Sequence, residues 1–154
     1  MPGNRKKGKN NKVKLLSTRL KDKEEKILQI LDRLAEESAK GKPIIVEGKK
    51  DIETLRTFNI EGKIISAKSG GKSLLDVVSE VEKDKAAEII LLLDFDRRGR
   101  EWTKRLKQHL ESARIIPNTT LWSGLFALVR REVKDIESLT AYMETLKKKT
   151  ISPK

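Results

Sequence analysis

The sequence predicts an α/β fold: one four-stranded parallel sheet with helices on both faces. Three observations carry that expectation. Short runs that are β-branched or almost wholly apolar recur at 44–46, 63–67, 88–93 and 114–116. Stretches with helical spacing of apolar residues separate them. The runs centred on Ile45 and Leu91 do not alternate with polar residues, as strands buried on both sides should not.

Each element follows from local chemistry. Residues 2–14 hold six bases, no acid and only Val13 to bury, so the composition predicts a disordered tail. Such a tail serves either as a solubilising segment or as an arm that contacts nucleic acid. From 17 to 40, Leu20, Ile27, Leu28, Leu31, Leu34 and Ala35 recur at three- and four-residue steps, one face of a helix. Asp22 and Glu25 resemble a capping pair and put its regular part near Lys23. Gly41 stops it and Pro43 prevents continuation. The core then alternates. A first strand at 44–46 leads into a helix over 51–58, and a second at 63–67 into a helix over 73–82. A third at 88–93 leads into a helix over 100–112, and a fourth at 114–116 is closed by Pro117. Right-handed crossovers are expected throughout. Residues 121–149 read as two helices joined near Lys134 and Asp135. The layout is a basic tail (1–16), an N-terminal amphipathic helix (17–41), an α/β core (42–117) and a C-terminal helical extension (118–154).

Composition narrows the function. The chain of 154 residues carries a formal charge of +12, which favours a polyanionic partner, nucleic acid before an anionic membrane surface. Zero cysteines exclude disulfides, thiolate-bound metals and thiol nucleophiles. A single histidine, His109, excludes paired-histidine metal sites and reads as a surface or packing residue. No apolar run is long enough to span a bilayer. No secretory signal is recognisable, so a soluble, cytoplasmic protein is expected.

In an open parallel sheet, ligands bind beyond the carboxyl ends of the strands. Three segments arrive there. After the third strand come Asp94, Phe95, Asp96, Arg97, Arg98, Gly99 and Arg100. Residues two apart in an extended chain face the same way, so Asp94 and Asp96 can aim at one point, with Phe95 turned into the packing. Two carboxylates so close favour a shared proton or cation, and oxygen ligands without His or Cys suit Mg²⁺. An ordinary strand-end turn also contains Asp and Gly. After the first strand come Glu47, Gly48, Lys49, Lys50 and Asp51. Glu47 reaches the same edge if the two strands are neighbours, and is otherwise a solvated acid. Gly48 frees the turn, and Asp51 reads as the N-cap of the next helix. After the second strand come Lys68, Ser69, Gly70, Gly71 and Lys72. The end of this segment imitates a P-loop, but Ser66 stands where that pattern requires glycine. Two glycines before a helix can still offer backbone N–H groups to a phosphate, with Lys68 and Lys72 adding charge.

The apolar strand ending in Glu47-Gly48-Lys49-Lys50-Asp51, and the second ending in Asp94-Phe95-Asp96-Arg97-Arg98-Gly99, resemble the two signatures of the Toprim domain family. Topoisomerases, bacterial-type primases, certain nucleases and recombination proteins share this module. The resemblance covers about 42–117 and is nearest to the small stand-alone primase- and ribonuclease-like members of archaea and bacteria. It implies a Rossmann-like four-stranded parallel sheet. It also implies that Asp94 and Asp96 help bind Mg²⁺ (or Mn²⁺), and that Glu47 is the third acid, acting in proton transfer. Topoisomerases of this type carry glutamates where this chain has Arg98 and Arg100, so their metal coordination does not carry over directly.

The resulting expectation is a metal-dependent phosphodiesterase acting on nucleic acid, RNA before DNA. Glu47, Asp94 and Asp96 would be its catalytic and metal-binding acids. Lys49, Lys68, Gly70, Gly71, Lys72, Arg97, Arg98 and Arg100 would meet phosphates. The alternative is a non-catalytic nucleic-acid-binding or docking protein, with protein partners in a processing complex. Trp102, Trp122 and Tyr142 read as packing residues.

Overall fold

The computed structural model describes the backbone of residues 2–150, with side chains at Lys12 and from Leu15 onward. Among these residues the order is α1 (Pro2–Ala39), β1 (Ile44–Val46), α2 (Lys49–Thr57), β2 (Ile64–Ser66) and a short 3-10 turn (Ser69–Gly71). Then come α3 (Leu74–Lys83), β3 (Glu88–Leu91), α4 (Arg97–Ser112), β4 (Ile116–Asn118), α5 (Thr120–Val129) and α6 (Leu139–Thr150). The strands form one all-parallel sheet in the order β2-β1-β3-β4. Ile44 lies opposite both Ile64 and Ile90, so the first and third strands are direct neighbours. The chain moves outward from β1 in one direction and from β3 in the other. The switch point of this doubly wound sheet therefore lies between them.

Successive strand residues feed opposite layers, as the two-residue strand period requires. Ile44, Val46, Ile90 and Leu92 pack with Ile27, Leu31 and Leu34 of α1, and with buried residues of α5 and α6. Ile45, Ile65, Ile89, Leu91 and Leu93 pack with α3 and α4 through Val77, Val81, Leu106 and Leu110. Most of these side chains are fully buried, each contributing about 1.5–3 kcal/mol relative to exposure. The C-terminal extension is thus half of one core layer. Trp122 fixes it to the sheet, donating from Nε1 to the Leu93 carbonyl at 2.7 Å while stacked on Phe126.

Several boundaries differ from expectation. Residues 2–16, read from composition as a free tail, are the first turns of α1, and Asp22 lies mid-helix rather than at a cap. Propagation from an already packed helix costs far less than nucleation. Leu15 and Leu16 are exposed, so packing begins farther along. Asp96, not a residue near Arg100, starts α4 as its N-cap. Ser73 caps α3 reciprocally with Asp76. The fourth strand runs through Pro117 instead of ending before it, which an edge strand tolerates because proline lacks only an outward-facing donor.

Candidate functional site

β1 and β3 end side by side, so the residues that follow them meet at the switch point. Glu47 is 7% exposed, held there by the short exit from a fully buried strand. Its carbonyl accepts from Lys68 N–H at 2.9 Å and from Ser66 Oγ at 3.2 Å, which ties the exits of β1 and β2 together. Lys68 Nζ donates to Glu47 Oε2 at 2.9 Å and lies 5.2 Å from the centre of the Trp102 ring. The second carboxylate oxygen, Oε1, is buried with no hydrogen-bond partner.

Asp94 stands beside it. Burial is the first cause that pushes its carboxyl up, to about 8; a hydrogen bond to Glu47 and the charges of Asp51 and Glu47 add to this. The opposing influence is the backbone N–H of Ile136, which donates to Asp94 Oδ1 at 3.2 Å. Burial and the facing acids therefore favour the neutral form of Asp94. The loop 130–138 makes the Ile136 contact possible, because the Lys134 carbonyl accepts from the N–H groups of Phe95 at 2.7 Å and Asp96 at 3.2 Å. Phe95 itself is buried, as alternation predicts.

Asp96 takes a different course. Its Oδ1 accepts from Gly99 N–H at 2.7 Å and the residue is exposed. Its carboxylate is committed to the first turn of α4. Glu47 and Asp94 are brought together; Asp96 is not brought to the same point. Among the described residues no group of three His, Cys, Asp or Glu side chains is arranged to hold an ion.

Asp51 joins the acids instead. It is not an N-cap: Gly48 occupies that position in ordinary extended geometry, and Asp51 sits in the third helical position. Gly48 N–H donates to Asp51 Oδ2 at 3.0 Å, and Asp51 N–H donates back to the Gly48 carbonyl at 3.2 Å. Burial raises the Asp51 carboxyl above its ordinary range. A cleft of about 290 Å³ is lined by Glu47, Asp51, Asp94, Lys49 and Lys68, with Asp135 and Glu137 arriving from the loop 130–138. Asp51 reads from the sequence as a helix cap and not as one of the acids of the site. Asp135 and Glu137 had no local signal, because only the docking of that loop brings them in.

The basic candidates divide. Lys49 lines the cleft and is exposed. Gly70 and Gly71 both adopt left-handed backbone (φ +69° each) with open space around them. Lys72 is paired with Glu80 at 2.9 Å and Arg97 with Glu101 at 3.2 Å. Arg98 is exposed, and Arg100 lies 5.6 Å from the centre of the Phe126 ring.

The donor set suits a hard divalent cation: a buried carboxylate oxygen without a hydrogen-bond partner, beside a second carboxyl that burial holds above its ordinary range. Acids thus gather at the switch point of a parallel α/β sheet, with exposed bases beside them. A family model described as the Toprim domain matches residues 42–121, and the chain belongs to that family. It is similar to a UPF0292 protein of Methanocaldococcus jannaschii, 38% identical over 77% of this chain and 91% of the relative. A UPF0292 protein of Methanosarcina acetivorans is 35% identical over 82% of this chain and 85% of that one. Among solved structures it is similar to a protein from Aquifex aeolicus: TM-score 0.59, 28% identity, covering 71% of this chain and 94% of that one. The family links the chain to nucleic-acid processing with metal binding. Among the described residues no helix is long and apolar enough to cross a membrane.

Proposed function

We propose that this chain is a Mg²⁺-dependent nuclease of the cytoplasm that acts on structured RNA in preference to DNA. The observation that carries the reading is the buried, partnerless Glu47 Oε1 beside Asp94 at the switch point of a basic chain. Glu47 and Asp94 are the residues that would hold Mg²⁺ (or Mn²⁺); Asp96 would join them only by giving up its cap on α4. When bound, the ion offsets phosphate charge and activates water or stabilises the leaving oxygen. Lys68 fixes the Glu47 rotamer through Oε2 and partly offsets its charge. The Glu47–Asp94 pair is the place where a proton is held and moved. Lys49, Arg98 and Arg100 meet phosphate oxygens from the rim, and Arg97 and Lys72 join them by exchanging their carboxylate partners. Gly70 and Gly71 leave the backbone beyond β2 open to a close-lying phosphate.

A second reading is a non-catalytic docking protein that works with protein partners in an RNA- or DNA-processing complex. The capping of α4 by Asp96 favours it, because the third acid is already engaged. A Mg²⁺ titration of cleavage on structured RNA and on duplex DNA decides between them. Glu47→Gln and Asp94→Asn are expected to lower cleavage by about 10²–10⁴-fold. Cleavage that ignores Mg²⁺ and both substitutions would overturn the nuclease. RNA binding that survives Asp94→Asn, with cleavage absent from every variant, would establish the docking protein.

A further inference from the structure

A second groove, apart from the acids, lies where α1 passes the end of α5. It measures about 420 Å³, and Arg19, Lys23, Lys26, Arg130 and Arg131 line it. Its two acids are both answered from within. Asp22 is paired with Lys26 at 3.0 Å, and Glu132 with Lys23 at 3.5 Å. Lys23 is further fixed against the Tyr142 ring, 5.7 Å from its centre. That leaves Arg19, Arg130 and Arg131. All three are exposed, and among the described residues none has a carboxylate within ion-pair distance. Three guanidiniums around one concavity repel each other unless an anion joins them. Guanidinium is also the group best shaped to take phosphate oxygens two at a time.

The placement narrows the anion further. Arg130 and Arg131 begin the same loop whose Lys134 carbonyl and Ile136 N–H hold the Asp94 corner. Arg100, in the first turns of the helix that Asp96 caps, is packed over Phe126 of α5. In the other direction the backbone of α1 runs back to Pro2 through a segment with six bases and no acid. A small phosphorylated molecule would use one end of this path. A nucleic-acid strand uses its whole length.

We infer that the α1–α5 groove is a second backbone-binding site for nucleic acid, formed by Arg19, Arg130 and Arg131, which anchors a strand whose continuation reaches the acid cleft. The inference rests on the nucleic-acid reading of the cleft but not on cleavage there.

Fluorescence anisotropy tests it on the full chain, with a labelled RNA hairpin and a labelled DNA duplex as separate arms. EDTA is present so that no cleavage intervenes. Replacing Arg19, Arg130 and Arg131 together by alanine is expected to weaken binding about tenfold or more, and to flatten log K against log salt by about 2–3. Replacing the exposed lysines Lys83, Lys148 and Lys149 on other helices should leave both quantities near wild type. An unchanged slope in the arginine variant, or an equal loss in the lysine variant, overturns the groove, as does failure of the wild type to bind either probe. Loss in one arm alone identifies which nucleic acid the groove takes. If binding follows the arginines while no variant cleaves in the separate Mg²⁺ titration, the groove stands and the nuclease falls.

Discussion

Gly99 rests on the backbone of Asp94: a Cβ placed on Gly99 would stand 2.6 Å from the Asp94 carbonyl carbon. The same glycine donates its N–H to Asp96. The spacing of the second signature is therefore steric as well as chemical. The helix that follows β3 can begin where it does only if its third residue has no side chain. Gly99→Ala is expected to destabilise the fold by about 1–3 kcal/mol, because a backbone neighbour cannot swing aside. Urea unfolding measures it, and a change within error of zero would show that the corner relaxes freely.

Asp94 makes stability depend on pH. Its folded pKa, about 8, lies above its ordinary value of 3.8, so the folded state binds the proton more tightly than the unfolded one. The contribution is fully present below about pH 4 and fades as pH rises toward about 8. Metal-free wild type should lose urea resistance across that window, and Asp94→Asn should flatten the profile. Parallel profiles for the two proteins would remove Asp94 as the source.

Under the proposed function Mg²⁺ should act in the opposite direction, since it would bind the deprotonated pair. At a hundred times its dissociation constant it adds about 2.7 kcal/mol to stability, more readily at pH 8 than at pH 6. Thermal unfolding with and without Mg²⁺ reads the shift, and Glu47→Gln should abolish it. A shift retained in Glu47→Gln would place the ion elsewhere.

Trp122→Phe keeps most of the ring packing but removes the donor to the buried Leu93 carbonyl. A cost of about 1–3 kcal/mol is expected. Because Leu93 directly precedes Asp94, the variant should also weaken Mg²⁺ binding. Isothermal titration would show this, and an unchanged affinity would confine Trp122 to packing.

The strands and the pair Glu47 and Asp94 were legible because buried apolar runs and strand-end acids are local patterns. The run of Leu91, Leu92 and Leu93 marks a strand without any knowledge of its neighbours. Three things were not local. Asp96 was read by its strand parity with Asp94, yet the competing pull of the unsatisfied N–H groups in the first turn of α4 turned it into a cap. Pro117 was read as a stop, because an edge position cannot be recognised from a single strand. Asp135 and Glu137 enter the cleft only through the docking of a loop some forty residues downstream of Asp94. The helix at the N-terminus is longer than composition suggested, because a packed segment can propagate into residues that would not fold by themselves.

The match to the family ends at residue 121, one position short of Trp122. The donors to the Leu93 carbonyl and to the Asp94 carboxylate, Trp122 and Ile136, both lie past that limit. Glu47 and Asp94 lie within the stretch that the family model matches, but two of the groups that brace them lie in the helical extension beyond it. A transplant of residues 42–121 into another protein would carry the signature without its tuning. Conversely, changes confined to residues 122–138 can retune the cleft while leaving every signature residue untouched.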